Sequence, residues 1–489
     1  MRIGFRLDLG PVTGIGHFSR CMSIAKTMVH FGHEVTFLVN GLDQRARGLL
    51  SKSGIEYLAL NKATVEVGYP GILGAQDAEL TKNLAHSLAI ELLVVDHYGA
   101  DRAWLEIFRD RSFRLMGICD YPADPIYDIV LDYGFDATIS KHNRDDEDRL
   151  YLIGPEYSPI GGTLDEAPVF GEDSLQQSNL LMALGSGIPD SIIIDLAECH
   201  ISRGSDFRLR IVSAREVSNF PVSSSAELII APESISPYWS KVSYSVTGGG
   251  LTMYERIANG VPGLAIESAQ NQSMSLVAAE SKGITKRIGF DELRNPNEFL
   301  KSIEGFMKGT SGPEEKLRLQ SIVDLNGPTR ICFELGLLAS GHHLDPVARK
   351  VKMSDANTLL RWANDEATRI NSFGRDPISP KNHITWMRKT LEQAPLFLMF
   401  ETFGIPLGYV RINNESGSNL LSYGLDKIFR GKGIATGMLK IALEQAPDIG
   451  SVLAIVALKN TPSLRALAKA GFQNLDIIEG NQRLFLERE

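Results

Sequence analysis

The first 150 residues alternate short β-branched or aromatic runs with helix-length amphipathic stretches, and this alternation narrows the fold more than any other feature of the chain. Strands separated by helix-length connections pair in parallel, with the helices crossing over the sheet. The expected strands are Arg2 to Leu7, Glu34 to Val39, Ile55 to Leu60, Glu91 to Asp96, Phe113 to Cys119 and Ile129 to Asp132. Between the first two, Phe18, Cys21, Met22, Ala25, Met28 and Val29 recur at three- and four-residue spacing, which predicts a helix over His17 to Phe31.

A second alternation opens near Asn179 with NLLMAL and runs through RLRIVS, AELIIA and SYSVTGGG, the last followed by a helical stretch. The segment from about Tyr151 to Ser178, rich in Gly, Pro and acidic residues, reads as a crossing between two domains. After Gly341 the pattern changes. Helices at Asp355 to Asn371 and Lys381 to Gln393 precede the strands PLFLMFET, PLGYVRIN and NLLSYGLD. A glycine-rich turn, a helix, the strand SVLAIVAL and a helix closing at Gly471 and Phe472 follow. The expected fold is α/β throughout: a GT-B-like pair of Rossmann-type domains over residues 1–150 and 151–340, then a smaller α/β domain over 341–489. Ligands of such a pair lie at the carboxyl ends of the strands, between the halves.

Lys and Arg number 50 against 59 Asp and Glu, a formal charge of -9, so no basic excess draws the chain to nucleic acid or an anionic membrane. No run reaches the ~20 apolar residues of a bilayer span, and Arg6 and Asp8 fall where a signal peptide needs an apolar core. A cytoplasmic location is expected. Cys21, Cys119, Cys199 and Cys332 lie far apart and read as reduced core residues. No His, Asp or Glu cluster has metal-ligand spacing, so no metal is expected.

Chemistry concentrates at the expected strand ends. Gly14-Ile15-Gly16-His17 joins the first strand to the first helix, and its glycines let a phosphate approach the amides at the helix start. His17 adds an imidazole suited to proton transfer near neutrality; a helix-capping or core histidine is the plainer alternative. Asp96, His97 and Tyr98 end the apolar run ELLVV, and Asp120 ends the next strand. These positions line a ligand cleft, unless Asp96 serves as a helix cap. In the second half, Gly248-Gly249-Gly250-Leu251-Thr252-Met253-Tyr254-Glu255 joins strand to helix. Gly249 and Thr252 suit a diphosphate and Glu255 the two hydroxyls of a ribose; a tight turn with a solvated Glu is the alternative. Asn271 and Gln272 suit a sugar or base contact, or a cap, and the turn Leu184-Gly185-Ser186-Gly187 offers further amides.

Arg6-x-Asp8, Gly14-x-Gly16-His17, Arg20 and Asp96-His97-Tyr98-Gly99 together resemble the N-terminal half of the UDP-2,4-diacetamido-2,4,6-trideoxy-β-L-altropyranose hydrolases of pseudaminic acid biosynthesis. GGG-x-T-x-x-E and Asn271-Gln272 are similar to those hydrolases and to MurG-type N-acetylglucosaminyltransferases, over roughly residues 1 to 320. The resemblance implies that His17 activates or positions a water that attacks the anomeric carbon, with inversion, sugar–oxygen cleavage and departure of UDP. It implies substrate contacts from Arg6, Asp8, Gly14, Gly16, Asp96, His97, Tyr98, Gly249, Thr252, Glu255, Asn271 and Gln272. UDP needs little protonation to leave, so one base and phosphate-binding amides suffice, unlike the paired carboxylates of glycosidases. The loop Leu184 to Asp190 departs from the Met-Gly-Gly-Ser/Thr-Asp of that family.

In the third domain, Arg430-Gly431-Lys432-Gly433-Ile434-Ala435 opens a helix carrying Met438, Leu439, Ala442 and Leu443, aiming successive amides and two cations at a pyrophosphate. The turn resembles the acetyl-CoA signature of GCN5-related N-acetyltransferases (GNATs), whose element order fits residues 345 to 489. That resemblance implies acetyl-CoA as co-substrate, held by residues 430 to 435, with Asn460 and Ser463 on its pantetheine arm. Leu360 to Asn364 resembles acetyltransferases acting on amino sugars or protein N-termini, with Asn364 a candidate acceptor contact. Leu467 stands where the family often has the Tyr that protonates the departing thiolate, and Glu401, Tyr423 and Asp426 are candidate bases. Joined in one chain, the two resemblances imply a UDP-linked amino sugar that is N-acetylated and then loses UDP. A glycosyltransferase or a nucleotide-sugar-binding module fused to an acetyltransferase are the alternatives.

Overall fold

The computed structural model describes the chain apart from residues 9–15, 41–43, 61–72, 143–147, 162–177, 186–187, 233, 310–311, 338–345, 416 and 488–489. Gly14 of the first glycine turn, and Ser186 and Gly187 of the Leu184 to Asp190 loop, lie outside the described residues. Two compact units form. One takes Met1–Pro168, Glu172–Ser311 and Ile322–Ser340, the other Gly312–Ser321 and Gly341–Glu489.

The first unit holds two parallel sheets. Strands β1 (Arg2–Asp8), β2 (Glu34–Asn40), β3 (Glu56–Ala59), β4 (Leu92–Asp96), β5 (Arg114–Ile118), β6 (Ile129–Asp132) and β7 (Leu150–Ile153) lie in the order β3-β2-β1-β4-β5-β6-β7. Because β4 is buried on both faces, it reads as a near-continuous apolar run instead of an alternating one, while β1, also buried, carries Arg6 in its midst. Strands β8 (Ser178–Ala183), β9 (Phe207–Ser213), β10 (Ala226–Ile230), β11 (Tyr244–Gly248), β12 (Gly263–Ile266) and β13 (Lys286–Ile288) follow in the order β10-β9-β8-β11-β12-β13. Both orders reverse direction at a central strand pair, β1/β4 and β8/β11, the doubly wound pattern of Rossmann-type sheets. Strand β7 carries the first sheet past residue 150, into the segment read from sequence as a crossing.

Helix α1 (Gly16–His30) follows β1, α2 (Leu251–Ala258) follows β11 and α3 (Ser273–Ser281) follows β12. Helix α4 (Pro313–Gln320) belongs to the second unit, and the chain then returns to the first as α5 (Gly327–Glu334), which packs on α1. At the start of α5 only glycine fits: a Cβ on Gly327 would stand 1.9 Å from the Ser158 carbonyl oxygen. Arg330 on α5 is buried, paired with Asp324 at 2.5 Å and donating to the Glu156 carbonyl at 3.0 Å.

The second unit is a seven-stranded mixed sheet of β14 (Val347–Lys350), β15 (Leu396–Thr402), β16 (Ile405–Glu415), β17 (Ser418–Leu425), β18 (Val452–Ala457), β19 (Gln473–Ile478) and β20 (Asn481–Leu486), in the order β14-β15-β16-β17-β18-β20-β19. The helix expected over Asp355 to Asn371 is two helices, α6 (Ala356–Asn364) and α7 (Glu366–Asn371). They part at Asp365, whose carboxylate leaves the helical path to accept the Thr368 amide at 3.1 Å as an N-cap. Leu317 of α4 joins Leu359, Trp362, Met387 and Met399 in this unit's core, together with α8 (Pro380–Gln393). Helices α9 (Ile434–Glu444) and α10 (Thr461–Lys469) follow β17 and β18.

Candidate functional site

At the β1/β4 switch point the connections leave in opposite directions and open a crevice at the strand ends. His17, on the first turn of α1, meets Asp96, the last residue of β4, there: His17 Nδ1 lies 2.7 Å from Asp96 Oδ1. Arg20, one turn on, brings its Nε within 2.7 Å of Asp96 Oδ2 and its NH2 onto Oδ1, and donates to the Tyr133 hydroxyl at 2.9 Å. Burial opposes the charge of Asp96, but Arg20 and His17 outweigh it and hold the pKa well below the usual carboxylate range. An ionised carboxylate only accepts, so in this pair the proton lies on His17 Nδ1, a nitrogen that Arg20 NH2 also approaches at 3.1 Å. The Tyr98 ring packs edge-on against His17, at 5.1 Å between centroids.

Arg6 has no solvent exposure, and two carboxylates saturate it: Asp8 at 2.5 Å and Asp77 at 2.7 Å. Asp77 also accepts from Trp104 at 3.0 Å and Asn40 at 3.0 Å. His97 accepts the Gly99 amide at Nδ1, 2.8 Å, so its Nε2 donates to Asp8, also at 2.8 Å. Two of the expected substrate contacts are thus engaged within the protein. Arg6 and His97 are turned into the protein and fix Asp8, whose pKa they hold low against its burial. Asp77 escaped the sequence reading because only the fold brings its helix to β1.

The second half contributes Asn271, whose Nδ2 reaches the Asp120 carboxylate at 2.8 Å and the Tyr98 hydroxyl at 2.5 Å. Tyr98 itself donates to Asp120. Gln272 instead braces its own loop, accepting from the Ser268 amide at 3.2 Å and hydroxyl at 3.0 Å. Gly249 allows Leu276 to close in, since a Cβ there would stand 2.7 Å from its side chain. Thr252 and Glu255 follow on α2, and burial alone pushes the Glu255 carboxyl up to about 7. Tyr254, beside them, stacks on Phe135 of the first half with centroids 5.0 Å apart. Gly16 is exposed at the start of α1. Asp190 pairs with Arg215 at 2.6 Å.

In the second unit, Gly431 and Gly433 hold φ of +77° and +80°, left-handed backbone that suits glycine, in an exposed turn whose Gly433 caps α9. Beyond it, β17 and β18 pair only over Asn419 to Leu421 and Val452 to Ala454, so their later residues splay apart. A turn of open amides beside a splayed strand pair fits a diphosphate with an extended thiol arm. Lys432 is exposed at the turn, and Ile434 and Ala435 begin α9. Arg430, expected on the pyrophosphate, turns away to Asp365 at 2.7 Å and the Thr368 hydroxyl at 3.1 Å, fastening the turn to α7. Asn460 caps α10 by accepting the Ser463 amide at 3.3 Å.

Three other expected contacts in this unit are engaged within the protein. Glu401 pairs with Arg349 at 2.6 Å, Asp426 accepts from Trp362 at 2.8 Å, and Asn364 holds both backbone groups of Ile378. Leu467 is fully buried. Tyr423, on the splayed part of β17, lies near the Ser463 side chain on α10, and burial raises its pKa. Among the described residues, no group of three or more His, Cys, Asp or Glu is arranged to hold a metal ion, and no helix is long and apolar enough to cross a membrane.

Residues 347–473 match the acetyltransferase (GNAT) domain family. YwnH of Bacillus subtilis, a candidate phosphinothricin acetyltransferase, is 26% identical over 122 residues, 23% of this chain and 75% of YwnH. The solved structure of AAC(6')-Ib with paromomycin and acetyl-CoA is similar at 16% identity and a TM-score of 0.27, over 29% of this chain and 94% of its own. Acinetobacter baumannii MurG is similar at 13% identity and a TM-score of 0.47, over 69% of this chain and 99% of its own. Residues 347–473 are an acetyltransferase domain of the GNAT family, set in one chain with a pair of Rossmann-type sheets.

Proposed function

We propose that the chain performs two consecutive steps on a UDP-linked amino sugar. The GNAT domain N-acetylates a 4-amino group with acetyl-CoA, and the first unit hydrolyses the UDP-2,4-diacetamido-2,4,6-trideoxy sugar to free sugar and UDP, as in pseudaminic acid biosynthesis. The observation that carries the hydrolytic step is the His17–Asp96 pair at the β1/β4 switch point. Asp96 fixes the Nδ1–H tautomer, and Nε2 takes a proton from water as that water attacks the anomeric carbon. The C1–oxygen bond breaks, UDP departs with the bonding electrons, and the proton on His17 returns to solvent. The amides at the start of α1 and after β11 meet the diphosphate, and Glu255 accepts the ribose hydroxyls.

In the acetyl transfer the amine attacks the thioester carbonyl, the C–S bond breaks, and the departing thiolate takes a proton. Residues 431 to 435 hold the diphosphate of acetyl-CoA with backbone amides. Tyr423 is the hydroxyl that replaces the Tyr absent at Leu467. Joining both activities in one chain supports a shared intermediate. The test is mass spectrometry of the whole chain with UDP-2-acetamido-4-amino-2,4,6-trideoxy-altrose, with and without acetyl-CoA. Acetyl-CoA-dependent release of UDP is the expected result, and acetylation without UDP release overturns the hydrolytic reading.

A further inference from the structure

We propose that Asp120 is a further ligand-binding residue of the first site, its Oδ1 accepting a hydrogen bond from a hydroxyl or amide N–H of the sugar carried on the nucleotide. This rests on the nucleotide-sugar reading above. Four aspartates stand at the carboxyl ends of the strands or in the turns that follow them. Asp8 is bound by Arg6 at one oxygen and His97 at the other. Asp96 receives His17 and Arg20 at Oδ1, and Arg20 and Cys21 at Oδ2. Asp132 receives the Gly134 amide at Oδ1, and Lys141 and His142 at Oδ2. In Asp120, both protein donors, Tyr98 and Asn271, fall on Oδ2, while Oδ1 is buried with no hydrogen-bond partner among the described residues.

A carboxylate oxygen withdrawn from water without a donor is costly, and folds seldom leave one so. Here the fold satisfies three such groups and leaves the fourth half satisfied, at the point where the two halves of the unit meet over Tyr98. The missing partner is a donor. A diphosphate is repelled by a carboxylate that has no cation bound to it, which leaves the sugar end of the ligand, where hydroxyl and amide N–H groups are donors. Tyr98 links Asp120 to the His17–Asp96 pair, its hydroxyl donating to Asp120 while its ring packs against His17.

The experiment is calorimetric titration of the full chain with UDP and, separately, UDP-N-acetylglucosamine, for the wild type, Asp120→Asn and Asp120→Ala. Thermal melts check that each variant is folded. Loss of a hydrogen bond to a charged acceptor should weaken the UDP-sugar by about tenfold or more and leave UDP within about twofold. Equal losses for both ligands would overturn the proposal and make Asp120 a clasp that only positions Tyr98 and Asn271. Unchanged affinities, or a wild type that binds UDP but not the UDP-sugar, overturn it as well. A wild type that binds neither ligand removes the nucleotide-sugar reading itself.

Discussion

Asp96 and His17 lie 79 residues apart in the chain, yet Oδ1 of one stands 2.7 Å from Nδ1 of the other. The pairing fixes both the tautomer and the direction of the imidazole, and Arg20 keeps the carboxylate ionised for the purpose. A base oriented in this way loses most of its advantage when its partner can no longer accept the Nδ1 proton. Asp96→Asn is expected to slow UDP release from the UDP-sugar by about 10²-fold or more, and His17→Ala by at least as much, with UDP affinity retained in both. Release is followed by chromatography, and unchanged turnover in His17→Ala would remove the imidazole from the reaction.

Glu255 gives a prediction with a defined sign. Burial raises its carboxyl to about 7, so the free protein holds it neutral below that pH and ionised above it. Ribose hydroxyls are donors and bind the carboxylate better than the neutral acid, so affinity for a UDP-sugar should climb as pH rises through about 7 and fall as pH drops below it. Glu255→Gln should bind more weakly and flatten this part of the profile. Titrations between pH 6 and 8 with UDP-N-acetylglucosamine, whose diphosphate does not ionise in that range, make the comparison.

The turn before α9 depends on its backbone. Space is open around both Gly431 and Gly433, so an added methyl meets no neighbour and only the left-handed conformation is penalised. That penalty is roughly 1–2 kcal/mol per residue. Gly433→Ala should weaken CoA binding by about five- to thirtyfold while the rest of the unit stays folded. Calorimetry with CoA, alongside a thermal melt, reads both.

Tyr423 of β17 and Ser463 of α10 lie near one another beside the splay between β17 and β18. With Leu467 buried, the phenol is the group expected to protonate the departing thiolate. Tyr423→Phe should lower kcat for thiol release by about 10²-fold and leave CoA affinity nearly unchanged. Ser463→Ala should have a smaller effect in the same direction. A variant with full kcat would mean that the thiolate leaves without the phenol.

Central strands of the Rossmann-type sheets, such as β4, were legible because burial on both faces writes them as largely apolar runs, and the glycine turns mark where crossovers begin. His17 and Asp96 were each placed at a strand end by the sequence, and the fold supplies their pairing. What the sequence could not disclose was direction. Arg6, His97 and Arg430 sit in the expected motifs, yet each is held by a carboxylate, which for His97 is Asp8 and for the two arginines includes one from a segment the motif does not contain, Asp77 and Asp365. The break at Asp365 was hidden for a related reason, as an aspartate inside an amphipathic stretch looks the same whether it caps or continues a helix. Strand β7 was lost in a segment whose glycines, prolines and acidic residues spoke for a crossing.

The passage of α4 into the GNAT unit, followed by the return of α5 to the Rossmann-type unit, means that the two are interlaced along the chain and not strung in series. A truncation beginning at residue 341 would discard Leu317 and leave a hole beneath Trp362, while one ending at 321 would strip α5 from α1. During synthesis the first piece of the acetyltransferase emerges before the last piece of its neighbour, so neither core can close on its own contiguous stretch of polypeptide. Studying the two units separately therefore calls for point substitutions in the whole protein, and every molecule made carries the two in a fixed one-to-one ratio.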